Sequence, residues 1–162
     1  MRFGLRLVQH VGPARELVRL ATLADEVGFD TVWFPHDPFM KHAWAMAAAV
    51  AESTSRVQIG SVQTTPYLNE PSEAATFLAT LDELSGGRAV LGYGLHTDEM
   101  VEWLGFDASD RVERIRGSVE TVRGLLRGET LRDEWYLRFE PLRPDPPISP
   151  ESSSRSRPNG VT

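Results

Sequence analysis

Phe29-Asp30-Thr31-Val32-Trp33-Phe34-Pro35-His36-Asp37 is the stretch on which the fold turns. Its first six residues are dominated by β-branched and aromatic side chains and end at a proline, which cannot continue a hydrogen-bonded ladder, so they read as a buried strand. Immediately upstream, Leu17, Leu20, Ala21, Ala24 and Val27 recur at three and four residues. Pro13 suits the first turn of a helix and Gly28 its C-terminal cap, so an amphipathic helix leads into the strand. The apolar run over residues 3–10, punctuated by Gly12 and Pro13, is the strand before it. Downstream, the alanine-rich run 41–53 favours helix by propensity, residues 56–63 form a third strand, and 64–71 a loop. A helix over 72–85 closes at Gly86-Gly87 and leads to a fourth strand at 88–93. A short helix over 99–104 and a long one over 109–127 follow, the second carrying Val112, Ile115, Val119, Val122 and Leu126 on one face. Residues 135–139 could form one more short strand. Strands alternating with helices through short connections predict right-handed crossovers and a parallel sheet with helices packed outside it.

Composition narrows the function classes. The chain has 162 residues, enough for one core, and its hydrophobic and charged fractions of 41% and 25% are those of an ordinary globular domain. Seventeen Lys and Arg stand against 23 Asp and Glu, a net charge of -6, which lacks the cationic footprint that a phosphate backbone demands; nucleic acid is not an expected partner. There is no cysteine, hence no disulfide, thiolate metal site or cysteine nucleophile. The apolar stretch 43–51 is far short of the roughly 18 residues that a spanning helix needs. Arg2 and Arg6 bracket the place where a secretory signal would need its apolar run, so a cytoplasmic location is expected. The proline- and serine-rich residues 149–162 have no periodic apolar face and are expected to be disordered.

In a parallel α/β sheet, ligands bind at the carboxyl ends of the strands. Residues that follow predicted strands are therefore the candidates: His10, the pair His36-Asp37, Thr64-Thr65, and Gly92-Tyr93-Gly94-Leu95-His96-Thr97. Scattered in sequence, they would converge in space. Each has a plain structural alternative. His10 reads equally as a packing residue, His36-Asp37 as a cap for the next helix, Ser61 as a satisfied core hydroxyl, and Trp33 and Trp44 as core. His42, at a helix start, has the weaker claim among the histidines. Gly92-Tyr93-Gly94 is too short for a dinucleotide fingerprint, and neither a nucleophile elbow nor a Walker loop is present.

At this point four segments, in order, resemble one family. Residues 26–37, residues 56–62 with the loop to Pro71, residues 79–88 leading into Gly92-Tyr93-Gly94, and residues 111–129 are similar to the bacterial luciferase-like oxidoreductases, in particular the branch that uses the deazaflavin coenzyme F420. The resemblance implies a (β/α)8 TIM barrel of which residues 1–148 supply about four βα units. It implies that His36 and Asp37 lie beside the cofactor ring as catalytic groups. His10, Ser61, Val62, Thr64, Gly94, Leu95, His96 and Thr97 would be its cofactor-binding residues. Ser61-Val62 would hold a non-prolyl cis peptide behind the ring, Thr64 would touch the ring, and residues 94–97 would offer backbone amides. His precedes Asp after the second strand, whereas the reverse order is more familiar in the family, which leaves open which of the two transfers the proton.

A full barrel of this type needs about 250 residues. The sequence beyond residue 148 departs from the family's strand five, so a half barrel cut short is expected, its activity impaired and its open edges prone to association with itself or with a complementing half. The expected reaction is hydride transfer between F420 and a small organic substrate. Its rivals are FMN-dependent monooxygenation on the same fold, an inert truncated barrel, and a hydrolase using His10, His36, Asp37 and His96 around a divalent metal.

Overall fold

The computed structural model describes residues 1–8, 12–107, 109–129, 131–133 and 136–139. Four strands, β1 (Gly4–Arg6), β2 (Thr31–Phe34), β3 (Gln58–Thr64) and β4 (Ala89–Tyr93), pair in parallel and in chain order. Helices α1 (Ala14–Val27), α2 (Ala43–Ser53) and α3 (Pro71–Ser85) make the crossovers, and α4 (Asp98–Trp103) and α5 (Arg111–Leu126) follow. A separate antiparallel hairpin joins β5 (Leu131–Asp133) to β6 (Tyr136–Phe139). The expected strand over residues 3–10 is thus shorter: its ladder with β2 ends when Leu7 N–H donates to the Trp33 carbonyl at 2.9 Å, because β2 runs into Pro35, which has no N–H to offer. The proposed disordered tail, 149–162, lies outside the described residues.

The core lies between the sheet and its helices. Val32, Phe34 and Ile59 are fully buried and meet Leu17, Ala21 and Ala24 of α1 and Ala47, Val50 and Ala51 of α2. Alanines on α2 let that helix approach the sheet closely, and each large side chain so buried contributes roughly 1.5–3 kcal/mol. The long helix α5 packs against α3, placing Val122 and Leu125 in the same core. On the opposite face of the sheet, Arg6 is exposed, and Trp33 and Val90 are half-buried.

The amino ends of the strands are fastened by two charged groups. The Asp25 carboxylate accepts from the backbone N–H of Ser55, Arg56 and Val57 at 2.9, 3.1 and 2.7 Å. Burial pushes this carboxyl up, but those backbone bonds and the Arg56 guanidinium outweigh it, and the net direction is down. Arg88 donates to the carbonyls of Ser85, Val57, Ala51 and Thr54 and to the Thr54 hydroxyl, at 2.6–3.0 Å. It thereby ties the C-terminal end of α2, whose orphan carbonyls favour a cation, to the starts of β3 and β4. With this end held, the carboxyl ends are left to carry chemistry.

Candidate functional site

The exits of β2, β3 and β4 meet at one end of the sheet. The Gly94 N–H donates to the Thr64 carbonyl at 2.9 Å, joining the last two exits. His96 Nδ1 lies 3.4 Å from Asp37 Oδ1, joining the exits of β4 and β2 across nearly sixty residues of chain. His36, Asp37, Thr64, Gly94 and His96 therefore lie at one end of the sheet. His10 falls outside the described residues.

His36 is buried in an aromatic setting. Its ring centroid lies 4.9 Å from that of Trp44 and 5.1 Å from that of His42, and Trp44 in turn stacks on Phe77 at 4.5 Å. Asn69, in the loop after β3, presents its amide Nδ2 3.4 Å from His36 Nδ1. An amide nitrogen can only donate, so Nδ1 accepts and the proton of the neutral ring sits on Nε2. Burial, then the neighbouring His42 and His96, pushes the ring's pKa down to about 4, so His36 is neutral at physiological pH.

His96 has a different environment. Its side chain is 4% exposed, the Asp37 carboxylate faces Nδ1, and Nε2 has no hydrogen-bond partner among the described residues. Arg111, at the start of α5, donates to the His96 carbonyl and pairs with Asp98 of α4, which anchors the loop that carries the histidine.

The β3 exit is irregular. From Ser61 to Thr64, β3 advances past its partner while β4 advances only from Leu91 to Tyr93, so β3 accommodates one extra residue. The cis peptide lies within this bulge, between Val62 and Gln63, one residue beyond the Ser61-Val62 bond expected from the sequence. Ser61 and Thr64 are buried and hydrogen-bonded to each other through their hydroxyls. Val62 and Leu95 are half-buried. Gly94 lies against the Gln63 side chain, where a Cβ would come within 2.8 Å of it, and the Thr97 hydroxyl caps α4 by accepting from the Met100 N–H.

Sequence reasoning missed Asn69, whose amide faces His36 Nδ1 from the loop after β3. Trp44 belongs to the core, as read from the sequence, and also stands against His36, and Tyr93, one of the candidates, has its hydroxyl buried at the β4 exit. Tyr93 O–H and Trp44 Nε1–H, like His96 Nε2, lack partners among the described residues, and burial, then the charge of Glu70, pushes the Tyr93 phenol up to about 12. Buried polar atoms left without partners are uncommon and call for an explanation such as a ligand or water. A place beside the Trp44 and His42 rings, with several such atoms, fits a flat heteroaromatic cofactor. Among the described residues no group of three His, Cys, Asp or Glu side chains could hold a metal ion, and no helix is long and apolar enough to cross a membrane.

Comparison with known proteins bears on the family and the fold. The model of the family described as luciferase-like monooxygenase matches residues 1–160. The chain is 31% identical over 132 residues to 5,10-methylenetetrahydromethanopterin reductase of Archaeoglobus fulgidus, a match covering 82% of this chain and 40% of that protein. It is 36% identical over 161 residues to the F420-dependent glucose-6-phosphate dehydrogenase of Amycolatopsis mediterranei, covering 86% and 47%. Among solved structures, the monooxygenase RslO1 from Streptomyces bottropensis superposes with a TM-score of 0.73 at 28% identity, covering 87% of this chain and 48% of that one. The chain thus spans less than half the length of these relatives.

Proposed function

The chain belongs to the luciferase-like monooxygenase family, an oxidoreductase family with the TIM-barrel fold, and from that membership we propose that it carries the cofactor-facing part of an oxidoreductase that moves hydride between coenzyme F420 and a small organic substrate. The observation that carries this reading is the convergence of His36, Asp37 and His96 at the exits of parallel strands. The naming of one relative as F420-dependent supports the choice of cofactor. When bound, the deazaflavin supplies a ring carbon that takes up or releases hydride.

The chain's own residues account for the rest. Trp44 and Phe77 exclude water from the side of the site next to His36. His36, held neutral with its proton on Nε2, serves as a hydrogen-bond donor. Gly94 makes room for the Gln63 side chain, and its own N–H is committed to Thr64. That leaves the N–H groups of Leu95, His96 and Thr97 to hold the cofactor's polar side chain. Val62, at the bulge, gives the ring an apolar surface, and the buried Ser61–Thr64 hydroxyl pair holds the bulge in shape. His10 and Asp37 complete the set in this reading.

FMN-dependent monooxygenation is the second reading, favoured by the likeness to the Streptomyces bottropensis monooxygenase. Fluorescence titration with F420 and with FMN separates them. It is run on the chain alone and on the chain mixed with a polypeptide covering the remaining half of the Amycolatopsis relative. Weak binding alone and selective F420 binding in the mixture is the expected result. Selective FMN binding establishes the second reading, and failure of both cofactors in the mixture refutes both.

A further inference from the structure

We propose that His96, aimed by Asp37, is the proton-transfer group of this site: Nδ1 faces the carboxylate, and Nε2, buried and without a partner among the described residues, takes the proton of the substrate's hydroxyl. The proposal deepens the oxidoreductase reading above and rests on it. Three observations carry it. The His96 side chain is 4% exposed, Asp37 Oδ1 lies 3.4 Å from Nδ1, and Nε2 lacks a partner among the described residues. A carboxylate on one ring nitrogen selects the tautomer with the proton on that side, so the other nitrogen becomes an acceptor, and the same carboxylate stabilises the imidazolium once a proton arrives. The 3.4 Å separation is long for a hydrogen bond, as such contacts often are before substrate binds.

His36 does not fit this role. Its Nδ1 already faces the Asn69 amide, its remaining nitrogen carries the proton, and the charged groups shown near it are the histidines 42 and 96, which oppose a second positive charge. Around His96 the charges differ. Asp37 approaches from the loop after β2, His36 from the exit of β2, and Arg111 from α5 with its own charge paired to Asp98 of α4.

The step balances for oxidation of an alcohol. The carbinol C–H bond breaks and its hydrogen leaves with both electrons to the oxidised deazaflavin. The O–H bond breaks as its proton passes to His96 Nε2, and the electron pair left on oxygen closes the C=O bond. The substrate is oxidised by two electrons, the cofactor is reduced by two, and reduction of a carbonyl is the reverse.

Nitrogen-15 NMR of histidine-labelled protein tests the ring directly, without cofactor. A neutral His96 with a protonated Nδ1 and a bare Nε2, changing to the opposite tautomer in Asp37→Ala, is expected; a wild-type ring with its proton on Nε2 overturns the proposal. In the cofactor-loaded, complemented protein, His96→Gln should bind F420 as the wild type does but lose about 100-fold or more in kcat. Retention of kcat by that variant also overturns the proposal. Failure of the wild type to bind F420 at all instead refutes the F420 reading, and with it the proton-transfer role, while the ring tautomer is a separate result. Asp37→Asn, which keeps the shape and removes the charge, should share the kcat loss with KM little changed.

Discussion

Removing the Asp25 carboxylate should loosen the end of the sheet opposite the site, and the structure sets the size of the effect. The carboxylate is 6% exposed and takes three backbone N–H groups that no strand ladder satisfies. In Asp25→Ala, the Ser55 and Arg56 amides lie in exposed residues and can turn to water, whereas Val57 is 1% exposed and its N–H stays orphaned. An orphaned buried donor costs about 1–3 kcal/mol and a lost charge-assisted bond about 1.5–3 kcal/mol, so a total of about 3–4 kcal/mol is expected. Asp25→Asn keeps one acceptor and should lose about half of that. The carboxyl titrates below its ordinary 3.8 when folded, so the folded state binds fewer protons than the unfolded one in that range. Its contribution is therefore complete above about pH 4 and fades as the pH falls through the folded value. Urea unfolding followed by circular dichroism at pH 7, and again between pH 5 and 3, measures both effects. A loss below 1 kcal/mol in Asp25→Ala, or an unchanged acid dependence, would refute the account.

Other outcomes follow from the same structure. Gly60→Ala places a Cβ 1.9 Å from the Val90 carbonyl oxygen; β3 and β4 must separate, and a loss of more than about 3 kcal/mol or no soluble folded protein is expected from thermal unfolding and expression. Arg88→Met leaves the carbonyls of Ala51, Thr54 and Val57 without their donor, and a loss of about 3 kcal/mol should appear in the same unfolding assay. His36 has its pKa lowered from 6.5 to about 4 by burial and by His42 and His96, so the unfolded chain binds the extra proton first. Stability should fall as the pH drops from about 6.5 and level off below about 4, by on the order of 2–3 kcal/mol, and His36→Asn should abolish that component. Because β1 and β4 have no second strand partner among the described residues, the chain should self-associate, and a sedimentation profile of a single compact monomer at all concentrations would contradict this.

The order of the four strands and their parallel pairing were legible because the evidence is local: apolar runs ended by Pro35 or the Gly86-Gly87 pair, alternating with helical spacings such as Leu17, Ala21 and Ala24. Where the exits would lie was legible for the same reason, since parallel strands place successive exits at one end. How the residues at those exits address one another was not. The Asn69 amide on His36 and the Asp37 carboxylate on His96 join positions 33 and 59 apart in sequence, and no spacing rule reports which rotamer turns toward which partner. The cis bond fell one residue beyond its expected place because the bulge is set by the register of β3 against β4, a property of two strands rather than one. Arg88 and Asp25 are unremarkable charges in sequence, and only the folded chain shows that each satisfies backbone groups at strand starts. By itself, then, the sequence determined the elements, their order and the end of the sheet at which the candidate residues lie, because periodicity and turn chemistry act between neighbours along the chain. The tertiary structure alone decided which histidine is locked neutral and which faces a carboxylate, because burial and charge depend on groups that only folding brings together.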